Sequence, residues 1–510
     1  MKSFIRYAAG LAALLTLATS CKPSSEAASD RLVIIHTNDT HSAIEPDRHD
    51  MGGYARRKVL IDSIREANAD GSVMLVDAGD AVQGSLYYTL FKGEVERRLM
   101  NELGYDIQIL GNHEFDKGME ELAAQWSQLN ATRLSTNYDF TGSTLEGLFV
   151  PSVMKEFGGH KVGFLGINLD PQGIIVAENC KGVKYSDAIA AANEEAARLR
   201  AQGADMVIAV THIGYDMDGL PDDVELARGS KDIDVIIGGH SHTVVDPARE
   251  IPAWRIANAE GDTVSVLQTG SSGVNLGEID IDLATKRVHA RLIPVDKRLD
   301  SRVDPKFVSL ITPYKQAVDS MRAIKVGNSP VEYVRESTEM LNLMSDFVYE
   351  AAPDIFGKPV DIAIMNKGGI RNSLAKGPVT QGELIDIAPF DNSIVVLDIS
   401  GKDLLENFGI MAAQDGNGVS RNVRVLYDPE TREVNSATID GKPVDPSRRY
   451  RLATIDYLAA GNDYMTPLTR GTLMGKSRNV LYLELIDRVG AGKLDSLFAN
   501  PDTTPRMSAF

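Results

Sequence analysis

The sequence predicts an α/β protein of two domains, and three observations lead to this fold class. The chain has 510 residues, more than a single hydrophobic core normally organises. Between residues 31 and 302 short apolar runs alternate with amphipathic segments, and runs such as residues 207–210 are continuously apolar, as in strands covered on both faces. Beyond Gly327 new strand-like runs (VDIAIMN, SIVVLDIS) and a Gly/Asn-rich loop appear. This change of pattern indicates a second α/β domain.

The composition restricts the class of partner. Hydrophobic residues make up 43% of the chain and charged residues 24%, which excludes a disordered or fibrous protein. The formal net charge of -18 argues against binding of a nucleic-acid polymer, because phosphate backbones require a basic surface. A small anionic substrate must therefore be attracted locally, by metal ions or single arginines.

The first twenty residues have the layout of a bacterial secretory signal peptide: Lys2 and Arg6, a short apolar run and small residues before Cys21. Residues 18–21 (ATSC) resemble a lipoprotein signal box, although Ala18 stands where Leu or Val is usual. This resemblance implies that Cys21 is the lipidated mature N-terminus and attaches the protein to a membrane of the cell envelope, facing the periplasm or the cell surface. Ordinary signal cleavage is the alternative. Residues 21–30 then form a solvated tether.

The rest of the chain divides into three segments. We expect the first domain at residues 31–302, a linker helix and hinge at 303–330, and the second domain at 331–510. Within the first domain residues 188–204 predict a helix, and the PYKQAVDSMRAI pattern predicts the linker helix over 303–326. After Cys21 the chain has only Cys180, so an intrachain disulfide or a thiolate zinc site is excluded.

Polar side chains that can bind metal follow five apolar runs of the first domain. One such residue alone is often a structural cap, but five such strand ends in one domain are hard to explain separately. In sheets of this kind, functional residues gather at the strand ends. The residues are Asp39 and His41 in NDTH, Asp80 in DAGD, Asn112 and His113 in GNHE, His212 in THIG, and His240 and His242 in GGHSH.

The chemistry of this set suits two divalent ions. Aspartate can bridge two cations, imidazole nitrogens bind transition metals and an amide oxygen fills a harder position, so Zn, Mn, Co or Fe would fit. Two ions about 3.5–4 Å apart can activate a water and stabilise the oxygens of an in-line displacement at phosphorus. The sequence therefore predicts phosphoester hydrolysis.

The order of these short motifs resembles that of the calcineurin-like metallophosphoesterases, and GNHEFDKG with GGHSH resembles the secreted 5′-nucleotidase and UDP-sugar hydrolase branch. The resemblance covers nearly the whole mature chain and implies an N-terminal double-sheet sandwich flanked by helices. It also implies the ligands of each ion, with Asp80 bridging. One ion would bind Asp39, His41, Asp80 and His242, and the other would bind Asp80, Asn112, His212 and His240.

The same resemblance implies that His113 and Asp116 are the catalytic pair. A histidine that does not bind metal can donate a proton or charge to the developing phosphorane oxygens, and a nearby carboxylate would orient it and hold it cationic. We interpret Glu114 and Phe115 as packing or turn residues. The remaining histidines, which we interpret as structural, are His36, His49, His160 and His289.

The second domain carries a candidate nucleotide site. In MNKGGIRNSL a glycine pair precedes Arg371, and glycines let backbone amides approach a ligand whose phosphate a guanidinium can grip. Phe390 and Tyr457 stand beside turn residues, as a base-stacking clamp would require, although either aromatic alone fits core packing as well.

The C-terminal domain of 5′-nucleotidases has a similar pattern of Asn-Gly-Gly-Gly-Ile-Arg, Pro-Phe-x-Asn, and an aromatic before Gly-Gly-Asp. Here Lys367 and Asn462 each replace a glycine, and Tyr457 stands where Phe is common. Arg335 is a further candidate substrate arginine, with a poorer fit of spacing. The resemblance implies that Asn366, Gly369 and Arg371 bind substrate, that Phe390 and Tyr457 sandwich the base, that Asn392 touches its edge, and that Asp463 binds the ribose hydroxyls.

We therefore expect a phosphohydrolase that uses two divalent ions and releases phosphate from nucleoside 5′-phosphates or related nucleotides, with metal-bound water as the nucleophile. Because the metal ligands and the base clamp lie in different domains, catalysis should require the domains to rotate together, as the resemblance also implies. A 2′,3′-cyclic nucleotide phosphodiesterase or nucleotide-sugar hydrolase is the neighbouring alternative. A catalytically silent nucleotide-binding lipoprotein is an alternative of another class. The sequence leaves the native metal, the exact nucleotide and the oligomeric state open.

Overall fold

The computed structural model describes residues 30–47, 49–69, 72–217 and 220–509. The predicted signal peptide, Cys21 and all but the last residue of the predicted tether lie outside these ranges. Within the described ranges no helix combines the length and the apolar character needed to cross a membrane.

The first part of the chain contains two large sheets and their flanking helices. Its strands are β1 (Arg31–Thr37), β2 (Val73–Asp77), β3 (Ile107–Ile109), β4 (Thr132–Leu134), β5 (Tyr138–Asp139), β6 (Ser152–Phe157), β7 (His160–Asn168), β8 (Lys184–Tyr185), β9 (Met206–His212), β10 (Val235–Ile237), β11 (Arg255–Ala257), β12 (Thr263–Leu267), β13 (Asn275–Asp282) and β14 (Arg287–Pro294). Its helices are α1 (Tyr54–Ala67), α2 (Leu86–Phe91), α3 (Glu94–Leu103), α4 (Gly118–Trp126), α5 (Ala188–Ala201) and α6 (Asp223–Gly229).

The two large sheets pack face to face. Their strand orders are β14-β13-β1-β2-β3-β4 and β11-β12-β10-β9-β7-β6, and the strands from β1 to β4 and from β7 through β9 and β10 to β12 are parallel. In β1, Leu32 and Ile34 lie in the core between the sheets, whereas Val33 and Ile35 face the helices on the outer side. This alternation follows from the two-residue period of a strand. The predicted α/β double-sheet sandwich is confirmed.

Helix α5 shows how local sequence sets an element on the outer face of the second sheet. The Asp187 side chain accepts a hydrogen bond from the Ala190 backbone N–H and caps the helix start. After the helix, Gly203 has a φ of 92°, which glycine adopts without strain. The predicted helix over 188–204 is therefore present and three residues shorter.

Helix α7 (Pro305–Arg322) follows the sandwich, within the segment predicted as the linker helix. The Asp304 side chain accepts from the Lys306 backbone N–H, and Pro305 occupies the first turn, where a missing N–H is tolerated. The helix packs on α2 and α3 of the sandwich.

The rest of the chain forms a second α/β unit. A five-stranded sheet has the order β19-β16-β23-β18-β24, a four-stranded sheet has the order β22-β21-β20-β25, and β15 pairs with β17. The strands are β15 (Lys325–Ser329), β16 (Ile362–Met365), β17 (Gly377–Thr380), β18 (Ser393–Ser400), β19 (Gly418–Val419), β20 (Val423–Tyr427), β21 (Val434–Ile439), β22 (Lys442–Pro443), β23 (Arg449–Ile455), β24 (Thr472–Val480) and β25 (Met507–Ala509). The helices are α8 (Thr338–Phe356), α9 (Gln381–Ile387), α10 (Gly401–Ala413), α11 (Asp456–Ala459), α12 (Leu481–Gly490) and α13 (Asp495–Ala499).

A polar network joins the two units at helix α7. Arg322, in the last turn of α7, contacts Glu45 at 3.1 Å and Asp386 of α9 at 3.4 Å. The other Asp386 oxygen accepts from the Leu86 backbone N–H at the start of α2, at 2.9 Å. Burial raises the pKa of Asp386 to about 6. The junction is thus held partly by a buried carboxyl group.

Candidate active site

The predicted metal ligands of the first unit lie at one edge of the two sheets. They follow the carboxyl ends of β1, β2, β3 and β10 or, for His212, form the last residue of β9. Carboxyl ends of parallel strands meet at the same edge of a sheet, and here two sheets contribute to one site. Residues as far apart in sequence as His41 and His242 are thereby brought into contact.

One group of ligands contains Asp39, His41 and His242. The Nε2 atoms of His41 and His242 are 2.8 Å apart. The Asp39 Oδ1 atom is 3.4 Å from His242 Nε2 and 3.8 Å from His41 Nε2. These three donor atoms converge closely enough to hold a metal ion.

A second group lies beside the first. Asp80 Oδ2 is 3.2 Å from His212 Nε2 and 3.9 Å from His41 Nε2, so this carboxylate lies between the two groups. His240 Nδ1 is 3.0 Å from the Asn112 Oδ1 atom. All seven predicted ligands are therefore brought together, and Asp80 occupies the position expected of a bridge.

The protonation of the histidines fits cation binding. The Nδ1 atom of His212 contacts the Ala78 carbonyl oxygen at 2.7 Å, which leaves its buried Nε2 facing Asp80 Oδ2 at 3.2 Å. Burial alone would lower the pKa of His212, but the charge of Asp80 outweighs it and raises the pKa to about 10. Without a bound cation a proton therefore occupies this position. Burial lowers the pKa of His240 to about 4, so this imidazole is a neutral donor.

Five of the ligand residues have a left-handed backbone, which non-glycine residues rarely adopt. Such conformations persist where the surrounding structure imposes them, and they cluster at functional sites. Their φ angles are 50° at Asp39, 46° at His41, 53° at Asp80, 79° at His240 and 56° at His242.

Glycines next to the ligands allow the strand ends to approach each other. A Cβ atom on Gly111 would lie 2.1 Å from Asp80 Oδ1, and one on Gly239 would lie 2.7 Å from His212 Nδ1. Both distances are shorter than atomic contacts permit. The glycines of GNHE and GGHSH are therefore required for the ligands to converge.

Glu114 has a role that the sequence analysis missed. Its buried carboxylate accepts from the backbone N–H groups of Asp80, Ala81 and Gly111 at 3.1, 2.8 and 2.6 Å. It thus ties the loop that carries Asp80 to the loop that carries Asn112. The interpretation as a packing or turn residue understated this role, and the sequence holds no signal for it because its partners are backbone groups, two of them in the distant Asp80 loop.

His113 and Asp116 form the expected pair. His113 Nδ1 lies 2.8 Å from Asp116 Oδ2, which also accepts from Gln83 Nε2 at 2.9 Å. Burial alone would lower the pKa of His113, but the charges of Asp116 and Asp80 outweigh it and raise the pKa above its ordinary value. A ring nitrogen of His113 also lies within 4.8 Å of donor atoms of His41 and Asp80, so a role as a ligand is the competing interpretation.

A cavity of about 800 Å³ lies between the two units. On one side it is lined by Asp80, Asn112, His113, Asp116, His240 and His242, and on the other by all seven substrate residues predicted in the second domain: Asn366, Gly369, Arg371, Phe390, Asn392, Tyr457 and Asp463.

The polar substrate residues include unsatisfied groups. Asn366 Nδ2 donates to Asp463 Oδ2 at 2.5 Å, while the buried Asn366 Oδ1 atom has no hydrogen-bond partner among the described residues. The Arg371 Nη2 atom approaches the ring nitrogens of His41 at 3.3 and 3.4 Å. This places the guanidinium of Arg371 beside one of the predicted metal ligands, and a guanidinium can bind a phosphate in a fixed fork.

The structure shows the contacts of the two predicted clamp aromatics and of the three residues that differ from the 5′-nucleotidase pattern. Phe390 and Tyr457 are partly exposed and line the cavity, and Tyr457 also packs against the hydrophobic core. The Asn462 side chain donates to the Tyr457 carbonyl oxygen at 2.9 Å and stabilises the turn. Lys367 Nζ donates to the Asp415 carbonyl oxygen at 2.9 Å. The Tyr457 hydroxyl donates across the cavity to the Ile174 carbonyl oxygen at 2.9 Å.

Arg335 lines a second cavity, of about 610 Å³, which adjoins the first at His242, Gly368 and Arg371. Its Nε atom donates to the Ile370 carbonyl oxygen at 3.2 Å. The histidines interpreted as structural include His36, which is buried in β1 with a pKa lowered to about 3 by burial.

Comparison with known proteins agrees with this geometry. The family model of the calcineurin-like phosphoesterases matches residues 32–244, and that of the 5′-nucleotidase C-terminal domain matches residues 322–470. Protein UshA of Yersinia enterocolitica is 30% identical over 478 residues, which cover 85% of this chain and 86% of that protein. The 5′-nucleotidase of Vibrio vulnificus is 28% identical over 514 residues, which cover 91% of this chain and 92% of that protein.

Among solved structures, the 5′-nucleotidase precursor from Thermus thermophilus superposes with a TM-score of 0.82 at 26% identity, covering 94% of this chain and 99% of that one. The chain therefore belongs to the family that joins a calcineurin-like phosphoesterase domain to a 5′-nucleotidase C-terminal domain, and it is a metal-dependent phosphoester hydrolase.

Proposed function

We propose that the chain hydrolyses nucleoside 5′-phosphates, using two divalent ions of Zn, Mn, Co or Fe. The observation that carries this proposal is the cavity between the two units, which has the metal-ligand groups on one wall and Phe390, Tyr457 and Asp463 on the other. A phosphate at the first wall and a nucleoside at the second would span it. The relatives titled 5′-nucleotidase support the same substrate class.

Each wall supplies a distinct part of the chemistry. Bound divalent ions activate the attacking water and stabilise the phosphoryl oxygens. Arg371, beside His41, binds the phosphate and holds it against the ligand groups. His113, oriented by Asp116, donates charge or a proton to the oxygens that become more negative in the transition state.

The second wall orients the nucleoside. Phe390 and Tyr457 offer ring faces for stacking of the base, and Asn392 lies beside them. The Asp463 carboxylate, held by Asn366, is an acceptor for the ribose hydroxyls. Binding of the base and ribose thus contributes to positioning of the phosphate.

A nucleotide-sugar or 2′,3′-cyclic nucleotide hydrolase is the second candidate. The observation that favours it is the adjoining cavity of about 610 Å³, which offers room for a group beyond the phosphate near Arg335 and Arg371. A catalytically silent binding protein is disfavoured by the complete set of ligand side chains.

The test is hydrolysis of AMP, ATP, UDP-glucose and 2′,3′-cyclic AMP by Mn-loaded protein, with the products separated by chromatography. Product analysis is needed because the first cleavage of UDP-glucose gives UMP and glucose 1-phosphate, and that of the cyclic nucleotide gives a nucleoside monophosphate, without inorganic phosphate. We expect AMP or ATP to have the highest kcat/KM. A higher value for UDP-glucose or the cyclic nucleotide would select the second candidate. No hydrolysis of any of them, by protein that contains metal, would select the silent protein.

We also propose that the mature protein is anchored to a cell-envelope membrane through lipid on Cys21. The signal-like N-terminal sequence supports this proposal. Mass spectrometry of the mature N-terminus should find acylated Cys21, and Cys21→Ala should release the protein into the soluble fraction. An unmodified N-terminus elsewhere would indicate ordinary signal cleavage.

The proposed segment boundaries are 31–302, 303–330 and 331–510, with the hinge in the middle segment. Helix α7 and the polar contacts of Arg322 lie there. Limited proteolysis should cut first between residues 303 and 330, and first cleavage inside either flanking segment would contradict the hinge.

A further inference from the structure

Two side-chain contacts at the proposed base clamp join the first unit to the second across the cavity. Lys117 Nζ lies 2.5 Å from Asp391 Oδ2, and the Tyr457 hydroxyl donates to the Ile174 carbonyl oxygen at 2.9 Å. Lys117 and Ile174 belong to the metal-binding unit, whereas Asp391 and Tyr457 belong to the nucleoside-binding unit. Both contacts therefore join the two halves of the site.

The ion pair lies between residues with proposed roles in the reaction. Lys117 directly follows Asp116 and immediately precedes helix α4, so its backbone is fixed relative to the His113 loop. Its side chain is only 13% exposed. Asp391 lies between Phe390 and Asn392, and its other oxygen accepts from the Tyr482 hydroxyl at 3.2 Å. The pair thus connects the catalytic loop to the base clamp.

The contact between Tyr457 and Ile174 depends on the Tyr457 hydroxyl oxygen. A phenylalanine at position 457 would keep the ring but could not donate to Ile174. Burial raises the pKa of the Tyr457 hydroxyl well above its ordinary value, so the hydroxyl stays a donor. Gly173, the residue before Ile174, also approaches the second unit, since a Cβ atom at this position would lie 3.5 Å from the Tyr464 ring.

We infer that the Lys117–Asp391 ion pair and the Tyr457–Ile174 hydrogen bond form a clasp that holds the two units closed around the nucleoside. Lys117 and Asp391 are positioning residues, which act by holding the base clamp of the second unit against the first unit. This inference rests on the proposed nucleotide substrate for its effect on catalysis. A small phosphoester that needs only the metal-binding wall should be insensitive to the clasp.

Charge inversion tests the ion pair. We expect Lys117→Glu and Asp391→Lys each to lower kcat/KM for AMP about two- to tenfold, since exposed pairs and single hydrogen bonds make modest contributions. Turnover of p-nitrophenyl phosphate should change less than twofold. The double variant, which restores an ion pair with reversed polarity, should recover most of the AMP activity.

The matched control is Lys181→Glu, which inverts the charge of an exposed lysine whose ion-pair partner, Glu178, lies in the same unit. It should leave both activities unchanged. Tyr457→Phe should lower kcat/KM for AMP within the same range as the ion-pair variants, because it keeps the ring and removes the hydroxyl, which contacts Asp463 as well as Ile174.

Small-angle X-ray scattering of substrate-free protein gives a readout that does not depend on catalysis. The radius of gyration should increase in Lys117→Glu and Asp391→Lys and return to the wild-type value in the double variant. An unchanged radius in the single variants, or no recovery in the double variant, would overturn the clasp. If wild-type protein failed to hydrolyse AMP, the proposed function would fall, and the scattering result would still decide the clasp.

Discussion

Replacing His113 by alanine should reduce turnover by about a hundredfold to a thousandfold and leave the metal content unchanged. The imidazole is held by Asp116 at 2.8 Å and lines the same cavity as Asp80. Removal of one preorganised donor aimed at developing charge costs about 3–4 kcal/mol of transition-state stabilisation. The metal ligands proposed above do not include His113, so both ions should remain.

The contacts of Asp116 indicate how much turnover the control variant Asp116→Asn should lose. Its Oδ2 atom accepts from both His113 Nδ1 and Gln83 Nε2. In Asp116→Asn the amide oxygen can take this position and keep the ring oriented, so only the negative charge is lost. We expect a smaller decrease in turnover, about tenfold, which corresponds to about 1.4 kcal/mol.

The assay measures metal stoichiometry and turnover on the same preparation of wild type, His113→Ala and Asp116→Asn. The competing interpretation is that His113 is a ligand, since its ring lies close to donor atoms of His41 and Asp80. Loss of one ion per chain in His113→Ala would establish that interpretation and refute the division of roles between Asn112 and His113.

Three further predictions concern the metal ligands, the base clamp and the junction between the two units. Chelation should abolish hydrolysis and Mn, Co or Zn should restore it, and Asp80→Ala should be the most damaging ligand change; two ions per chain in that variant would disprove the bridge. Phe390→Ala and Tyr457→Ala should each lower kcat/KM for AMP about tenfold to a hundredfold, because stacking is worth about 1–3 kcal/mol per base; equal losses on p-nitrophenyl phosphate would indicate core packing instead. Burial raises the pKa of Asp386 from 3.8 to about 6, so its contribution to stability is fully present below pH 3.8 and is lost as the pH rises through 6. When the pH falls from about 7 to about 4, the free energy of unfolding of the metal-free wild type should rise by about 2–3 kcal/mol relative to that of Asp386→Asn, as measured by urea unfolding. A difference that does not change with pH would contradict the raised pKa of Asp386.

The convergence of the predicted ligand side chains could be predicted because each strand end is a local signal. An apolar run followed by Asp, Asn or His is visible in the sequence, and parallel strands place their carboxyl ends at one edge. His41 and His242 meet for this reason, although they are 201 residues apart. The fold class followed from the same alternation of strands and helices.

Other features depend on the orientation of one unit against the other, which no local pattern encodes. Lys117 and Asp391 are 274 residues apart, and their ion pair exists only because the two units face each other across the cavity. The Tyr457 hydroxyl was visible as a departure from phenylalanine, but its acceptor, Ile174, was not. Glu114 binds backbone groups, which carry no side-chain signature.

The central claim is that one site holds the phosphate in the first unit and the nucleoside in the second. The most direct measurement compares kcat/KM for AMP and ribose 5-phosphate, which share the sugar phosphate and carry adenine or a hydroxyl group, respectively, on the anomeric carbon. Two stacking faces predict that AMP is preferred by at least about tenfold. Equal values for the two substrates would show that the second unit does not recognise the base, and would contradict the proposed site.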